Sequence, residues 1–473
     1  MNPILDLKPQ SLWQQFANIS QLPHPSGHLS ALHDYIVSIA QSHEYETLQD
    51  EAGNILVRTG DNPFLCLQAH YDMVPQKDTD LFFNFESDPL RLRIVGDSVM
   101  ASGTTLGADN GIGVAAMLAI IDDPSLSEKL KANPIELLFT ANEETGMQGA
   151  RQLSPYWIQS RQMINLDTEQ EGVLMTGCAG AVNMTASLKY RMDTEIPEGD
   201  AAVLISLSGL QGGHSGMDIH LHRANACKLM NRFLKHAVVS FEARLASFNG
   251  GTLRNAIPRE ATAVITVPGE IVNEVIEEVG YYNDLFRDEF HDTEPKLVFT
   301  ATPTSLPSVL IPEEIQDDLL NAIEACHNGV WSMGEGYVDT SSNMAHVTTD
   351  TNGEAEVLLM VRSMNEERKR ACASAIQSAF LLGGFGVDFA SNYAAWDIDS
   401  RAPMVQRALT VNPDLRIDKV HCGLECGVIS ELYPDMQIIS FGPTIHHPHS
   451  PQESVEINSV ERFWNFLLQY VGL

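Results

Sequence analysis

The sequence predicts an α/β domain interrupted by an inserted α+β domain, and three observations carry that reading. Over the first 180 residues, stretches with helical periodicity alternate with short apolar runs. From about residue 182 the texture changes to half-buried alternation of apolar and polar residues. Towards the end short apolar strands return, so the domain that opens the chain also closes it. The expected boundaries are 1–181 and 393–473 for the α/β domain and 182–392 for the insert.

In chain order, residues 28–42 read as an amphipathic helix, Phe64 to His70 as a buried strand and Gly111 to Ile121 as a helix. The run IELLFTA after Pro134 and the run from Gln162 to Leu166 read as two further strands. Apolar strands alternating with helices imply a sheet covered on both faces, and such sheets gather ligands at their strand ends. In the insert, NMTASLKYRM and AVLISLSGL are followed by a helix near 223–238, then by EARLASF and ATAVITV. A second round follows: a helix near 270–289, KLVFTATP, a helix near 312–327, EVLLMVRSM and a helix near 366–382, which suggests two similar halves. MQIISFG and a helix from Ser459 to Val471 close the chain.

Composition narrows the function. Of 473 residues 44% are hydrophobic, enough for a sizeable core, and 29 basic against 62 acidic residues give a formal charge of −33. That charge repels phosphate backbones and anionic headgroups, so neither nucleic acid nor a membrane is expected as a partner. The longest wholly apolar or glycine run, Gly111 to Ile121, is far short of the roughly 20 residues that cross a bilayer. The opening MNPILDLKPQ lacks a basic-then-apolar pattern, and the seven scattered cysteines form no disulfide framework. A cytoplasmic location is expected.

Several polar residues sit just past the predicted strands. In AHYDMVP, His70 and Asp72 leave a strand end on the same face, and a carboxylate so placed can orient a metal-bound imidazole. Asp109 lies in a glycine-rich turn opening a helix, where an N-cap would also suit it. Glu143 and Glu144 are adjacent after a strand, so their side chains diverge and can serve different atoms of one site. Asp167 follows another strand, and His446, His447 and His449 follow the last. Histidine and carboxylate together form a nitrogen and oxygen set suited to zinc, cobalt or manganese, and five residues can hold two metals if one carboxylate bridges. Ser215, in GGHSG, does not match the Gly-x-Ser-x-Gly nucleophile pattern.

The ordered motifs AHYDMVP, GADNGIG, NEETGMQGA, NLDTE, GGHSGMDI, LRNAIP, HCGLECG and HSPQE span essentially the whole chain. They resemble those of the two-zinc exopeptidases, the family of carboxypeptidase G, peptidase T, peptidase V and aminoacylase. The resemblance implies a catalytic α/β domain carrying an inserted lid, and two divalent metals, zinc first with cobalt or manganese as alternatives. It implies His70 and Asp167 on one metal, Glu144 and His449 on the other, and Asp109 bridging through a residue whose bond to Asn110 is cis. His449 is chosen over His446 and His447 by the family's His-Ser-x-x-Glu pattern. Glu143 would be the general base for a metal-bridging water, with Asp72 behind His70. His214 would polarise the substrate carbonyl, and Asn255 and Arg362 would hold the substrate.

The expected activity is hydrolysis of unprotected dipeptides, and the resemblance alone implies a particular preference for those ending in histidine. N-acyl amino acid hydrolysis, tripeptide hydrolysis and a non-catalytic metal-binding role are the alternatives. The expected partner is a small peptide. A homodimer stays open, because simpler relatives borrow a histidine from a dimer mate, whereas here His214 can serve its own chain.

Overall fold

The computed structural model describes residues 3–473. The chain forms two compact units: one contains the chain up to Cys178 with Trp396–Lys419 and Leu424–Leu473, the other Ala179–Ala395 with Val420–Gly423.

The first unit is built on a nine-stranded sheet. At its centre Ile135–Thr140, Leu65–His70, Gln162–Asn165 and Gln437–Ser440 lie side by side and parallel. Every residue of the first two strands is buried, as expected for parallel strands covered on both faces. Antiparallel strands flank this core, Ile55–Arg58 and Glu46–Gln49 on one side, Val173–Cys178 and Trp396–Asp397 on the other. The helix Ala108–Asp122 is buried from Ala108 to Ile121, so its pattern is apolar all round rather than amphipathic. It becomes regular at Gly111, because Asp109 and Asn110 have non-helical backbone angles and the peptide bond between them is cis. Helix Ser30–Ser42 buries Leu32, Ile36, Ile39 and Ala40, one face at helical spacing.

The second unit holds another nine-stranded sheet, and its topology divides into two halves with the same order of elements. The first runs strand Asp200–Ser208, helix Ala226–Phe241, strands Arg244–Gly251 and Ala261–Pro268, helix Val272–Glu289 and strand Val298–Thr304. The second runs strand Gly180–Lys189, helix Glu313–Ala325, strands Val338–Thr349 and Glu354–Ser363, helix Glu366–Leu382 and strand Gly386–Tyr393. The first half is therefore nested in the chain between the opening strand of the second and its helix. The halves join where Gly250 and Gly251 pair with Val347 and His346. Asn225 and Asn365 cap two of the helices through their side-chain oxygens, which accept backbone N–H groups that the helix leaves unpaired.

Two glycines in helices separate packing from propensity. A Cβ on Gly113 would lie 2.1 Å from Asn110 Oδ1 and 3.1 Å from both Ala69 Cβ and Leu166 Cβ, so the helix rests on the sheet only because that atom is missing. A Cβ on Gly280 would meet nothing within 4 Å. Gly113→Ala should destabilise the first unit by roughly 1–3 kcal/mol through overpacking. Gly280→Ala should stabilise the second by about 0.5–1 kcal/mol through helix propensity. Urea unfolding of both variants checks the opposite signs; equal shifts would refute the packing account of Gly113.

Candidate metal centre

The first unit's topology brings its polar motifs together. The three adjacent parallel strands end at Thr140, His70 and Asn165, so the residues that follow each strand leave the sheet at the same end. His70 closes the middle strand, Glu143 and Glu144 follow one neighbour, and Asp167 follows the other.

Asp109 stands between the two histidines. Its Oδ1 lies 3.1 Å from His70 Nε2 and its Oδ2 lies 3.0 Å from His449 Nε2. Asp167 Oδ1 is 3.4 Å from His70 Nε2, and Glu144 Oε1 is 3.0 Å from His449 Nε2. Two three-residue sets result, His70–Asp109–Asp167 and Asp109–Glu144–His449, and in each the ligand atoms lie within 4.8 Å of one another. Asp109 belongs to both. A third set, His70–Glu143–Glu144, brings Glu143 to the same place. His446 instead pairs with Glu456 at 2.8 Å, and His447 is in none of the sets.

Asp72 holds the scaffold of both motifs. His70 Nδ1 lies 3.1 Å from the Asp72 carbonyl oxygen and 3.5 Å from its Oδ1. The Asp72 carboxylate also accepts the backbone N–H of Glu143 at 2.9 Å, that of Glu144 at 3.2 Å and the Ser26 hydroxyl at 2.7 Å. Asn110 Nδ2 donates to the Leu166 carbonyl at 3.0 Å and to Asp167 Oδ1, which fixes the third ligand turn.

The donor set fits a cation. Both ring nitrogens of His70 face oxygens, an arrangement that needs either two protons or one proton and a metal. Burial opposes protonation of His70, but the charge on Asp167 and the hydrogen bonds that the ring donates to Asp109, Asp167 and Asp72 outweigh it and raise its pKa well above the usual value. Hydrogen bonds to Asp109 and Glu144 push His449 up to about 11. Burial pushes the carboxyls of Glu143, Glu144 and Asp167 above their ordinary range. For Asp109 burial is outweighed by the hydrogen bonds from His449 and His70, which hold it low. Carboxylates packed so closely are tolerable only with positive charge among them, and divalent cations would serve the same oxygens as the imidazolium protons do.

One carboxylate beneath this cluster escaped the sequence reading. Glu425 is fully buried, and its Oε2 accepts from Gln68 Nε2 and from Thr140 Oγ1, each at 2.6 Å. Burial pushes it up to about 7. Its signal in the sequence is an acidic residue inside the apolar and glycine-rich HCGLECG.

In the second unit, His214 Nδ1 accepts the backbone N–H groups of Gly216 at 3.2 Å and Met217 at 3.0 Å. The proton of the neutral ring therefore sits on Nε2, leaving a donor there. Burial, then the charge on Arg362, lowers His214 to about 4. Arg362 is 4% exposed, donates to Ser215 Oγ at 3.4 Å and to the Tyr393 hydroxyl at 3.2 Å, and among the described residues pairs with no acid. Asn255 is exposed in a turn whose backbone carbonyl accepts the Ser215 N–H at 2.7 Å.

A model of the peptidase family M20/M25/M40 matches residues 66–472, a span that contains all ten of the candidate residues. The chain is 38% identical over 486 aligned positions to the cytosol non-specific dipeptidase of Escherichia coli K12, covering 99% of this chain and 98% of that one. Its fold matches the crystal structure of aminoacylhistidine dipeptidase from Vibrio alginolyticus with a TM-score of 0.86 at 37% identity, over 99% of this chain and 97% of that one. A tripeptidase from Staphylococcus aureus shares the fold at 14% identity and a TM-score of 0.57, over 98% of both chains.

The His214 geometry fixes a pH dependence. Its folded pKa lies below the usual 6.5, so the unfolded chain binds the extra proton first. Its contribution to stability is complete above about pH 6.5 and is lost as pH falls towards 4. Imidazole nitrogen NMR at pH 5.5 should find His214 neutral with the proton on Nε2. A protonated ring, or a proton on Nδ1, would refute the assignment.

Proposed function

The chain belongs to the peptidase family M20/M25/M40, and from that membership we propose that this hydrolase is a metal-dependent dipeptidase acting on unprotected dipeptides, those ending in histidine among them. One observation carries the reading: two ligand sets, drawn from residues spread over most of the chain, share the carboxylate of Asp109. His70, Asp109 and Asp167 would hold one metal, and Asp109, Glu144 and His449 the other, with zinc the first choice for these nitrogen and oxygen donors. Divalent metals held there would supply the positive charge that acidifies a water and polarises a carbonyl.

The chain's own residues do the rest. Glu143 lies beside the ligand sets, and the burial that raises its pKa makes its carboxylate a better proton acceptor. It would take a proton from the attacking water as the water oxygen bonds to the carbonyl carbon. It would return that proton to the amine nitrogen as the C–N bond breaks. Asp72 keeps Glu143 and Glu144 in register by accepting both backbone N–H groups. In the second unit the neutral His214 offers an N–H donor for a developing oxyanion. Arg362, a buried cation with no acidic partner among the described residues, suits a free C-terminal carboxylate, and we assign Asn255 to the same substrate. The names of the Escherichia coli and Vibrio relatives support dipeptides as the substrate class, and that of the former supports a cytosolic location.

The adjacent glutamates separate the roles. Glu143→Ala should keep both metals and lose about 10²–10⁴-fold or more in turnover, whereas Glu144→Ala should lose metal. Metal content and hydrolysis of Xaa-His, other dipeptides, tripeptides and acylated amino acids should be measured on the same preparations. Near-normal turnover by fully loaded Glu143→Ala would remove it from the mechanism. A preference for tripeptides or acylated amino acids would overturn the dipeptidase reading.

A further inference from the structure

Glu453 lies four residues after His449 and is only 2% exposed. Its carboxylate is turned into the backbone that precedes the buried helix rather than towards the ligand sets. Oε2 accepts the N–H of Leu106 at 2.7 Å and of Gly107 at 3.1 Å; Oε1 accepts the N–H of Ala108 at 2.8 Å and of Asp109 at 3.3 Å. Helices leave their first N–H groups without internal partners, and a carboxylate there also suits the positive end of the helix dipole. Gly107 has φ +69°, a left-handed turn that lets four successive N–H groups converge on one side chain.

The segment carrying Glu453 is bonded to itself. Ser450 Oγ donates to the His447 carbonyl at 2.8 Å and accepts the Gln452 N–H at 3.2 Å, and the Glu453 N–H reaches the Ser450 carbonyl at 3.0 Å. His449 and Glu453 therefore belong to one compact turn, and what holds Glu453 also holds His449. Across 344 residues of sequence that turn is pinned to the N–H of Asp109, whose Oδ2 then lies 3.0 Å from His449 Nε2.

We propose that Glu453 is a positioning residue that latches the His449 turn to the Asp109 turn and so controls the metal position of Asp109, Glu144 and His449 selectively. The other position has its own anchors. His70 is held through Nδ1 by Asp72, Asp167 by Asn110, and Asn110 in turn by the Leu166 carbonyl. None of those contacts passes through Glu453, and Asp109, which both positions share, keeps a second tie to that side through the neighbouring Asn110. The inference rests on the two-metal reading above.

Glu453→Gln is the informative change, because it keeps the shape but replaces one oxygen with an NH₂ group facing N–H donors. Zinc titration of metal-free protein against a competing chelator reads both positions without any substrate. Glu453→Gln should weaken one equivalent by about 10–100-fold and leave the other within a few-fold of wild type. His449→Ala should lose the same equivalent, and adding Glu453→Gln to it should weaken zinc binding little further. Glu453→Asp, which keeps the charge, should show the same selective loss to a smaller degree and carries the test if the glutamine variant does not fold. Equal weakening of both equivalents, additive effects with His449→Ala, or zinc binding by the aspartate variant indistinguishable from wild type would overturn the proposal. Wild type taking up a single equivalent would instead bring down the two-metal reading on which it rests.

Discussion

The carboxylate of Asp109 offers one oxygen to His70 and the other to His449, and the first unit is organised around keeping that carboxylate in place. A shared ligand tolerates little play, since a shift that improves one contact lengthens the other. Its neighbours are correspondingly over-determined. The residue sits where a helix abuts the sheet so closely that Gly113 has no room for a side chain, and Asn110, the next residue, is tied to the turn of Asp167. Backbone on both sides of the site is fixed by carboxylates that face no metal: Asp72 for Glu143 and Glu144, Glu453 for Asp109.

That division of labour explains why so many acids can be buried together. Carboxylates facing the ligand sets are balanced by imidazoles or by cations that replace their protons. The others meet hydrogen-bond donors instead: the N–H groups around Asp72 and Glu453, and the amide and hydroxyl that reach Oε2 of Glu425. The two classes differ in what they contact rather than in burial, so burial alone would not have told a ligand from a support.

The central strands and the central helix of the first unit were legible because they are apolar and buried all round. Leu65–His70 and Ile135–Thr140 coincide within a residue or so with the apolar runs read from the chain, and the polar residues at their ends fall in one cluster. The supports were harder to read. Nothing in the spacing of HCGLECG distinguishes Glu425 from a solvated acid, because its partners Gln68 and Thr140 lie 357 and 285 residues away. Of the three late histidines, the family's His-Ser-x-x-Glu pattern singles out His449, but its physical cause is tertiary: the turn carries His449 to Asp109 while His446 pairs with Glu456.

The second unit shows the opposite failure, a strand hidden by its polarity. Val338–Thr349 is the longest strand of its sheet and buried from Val338 to Ala345, yet it reads VDTSSNMA, which has no apolar alternation. Its polar side chains are internal because each finds a partner: Thr340 with Ser363, Ser341 with His421, Ser342 with the His327 carbonyl, and Asn343 with the Ala256 carbonyl. Hydrogen bonding thus removes the penalty that would otherwise expel such residues from a core. Arg362 pairs with Ser341 in the register of the neighbouring strand, within this polar layer, and is the exception to full satisfaction by charge: it meets hydroxyls rather than an acid. A guanidinium so buried is costly unless an anion completes it, and on the dipeptidase reading the substrate's own carboxylate is that anion.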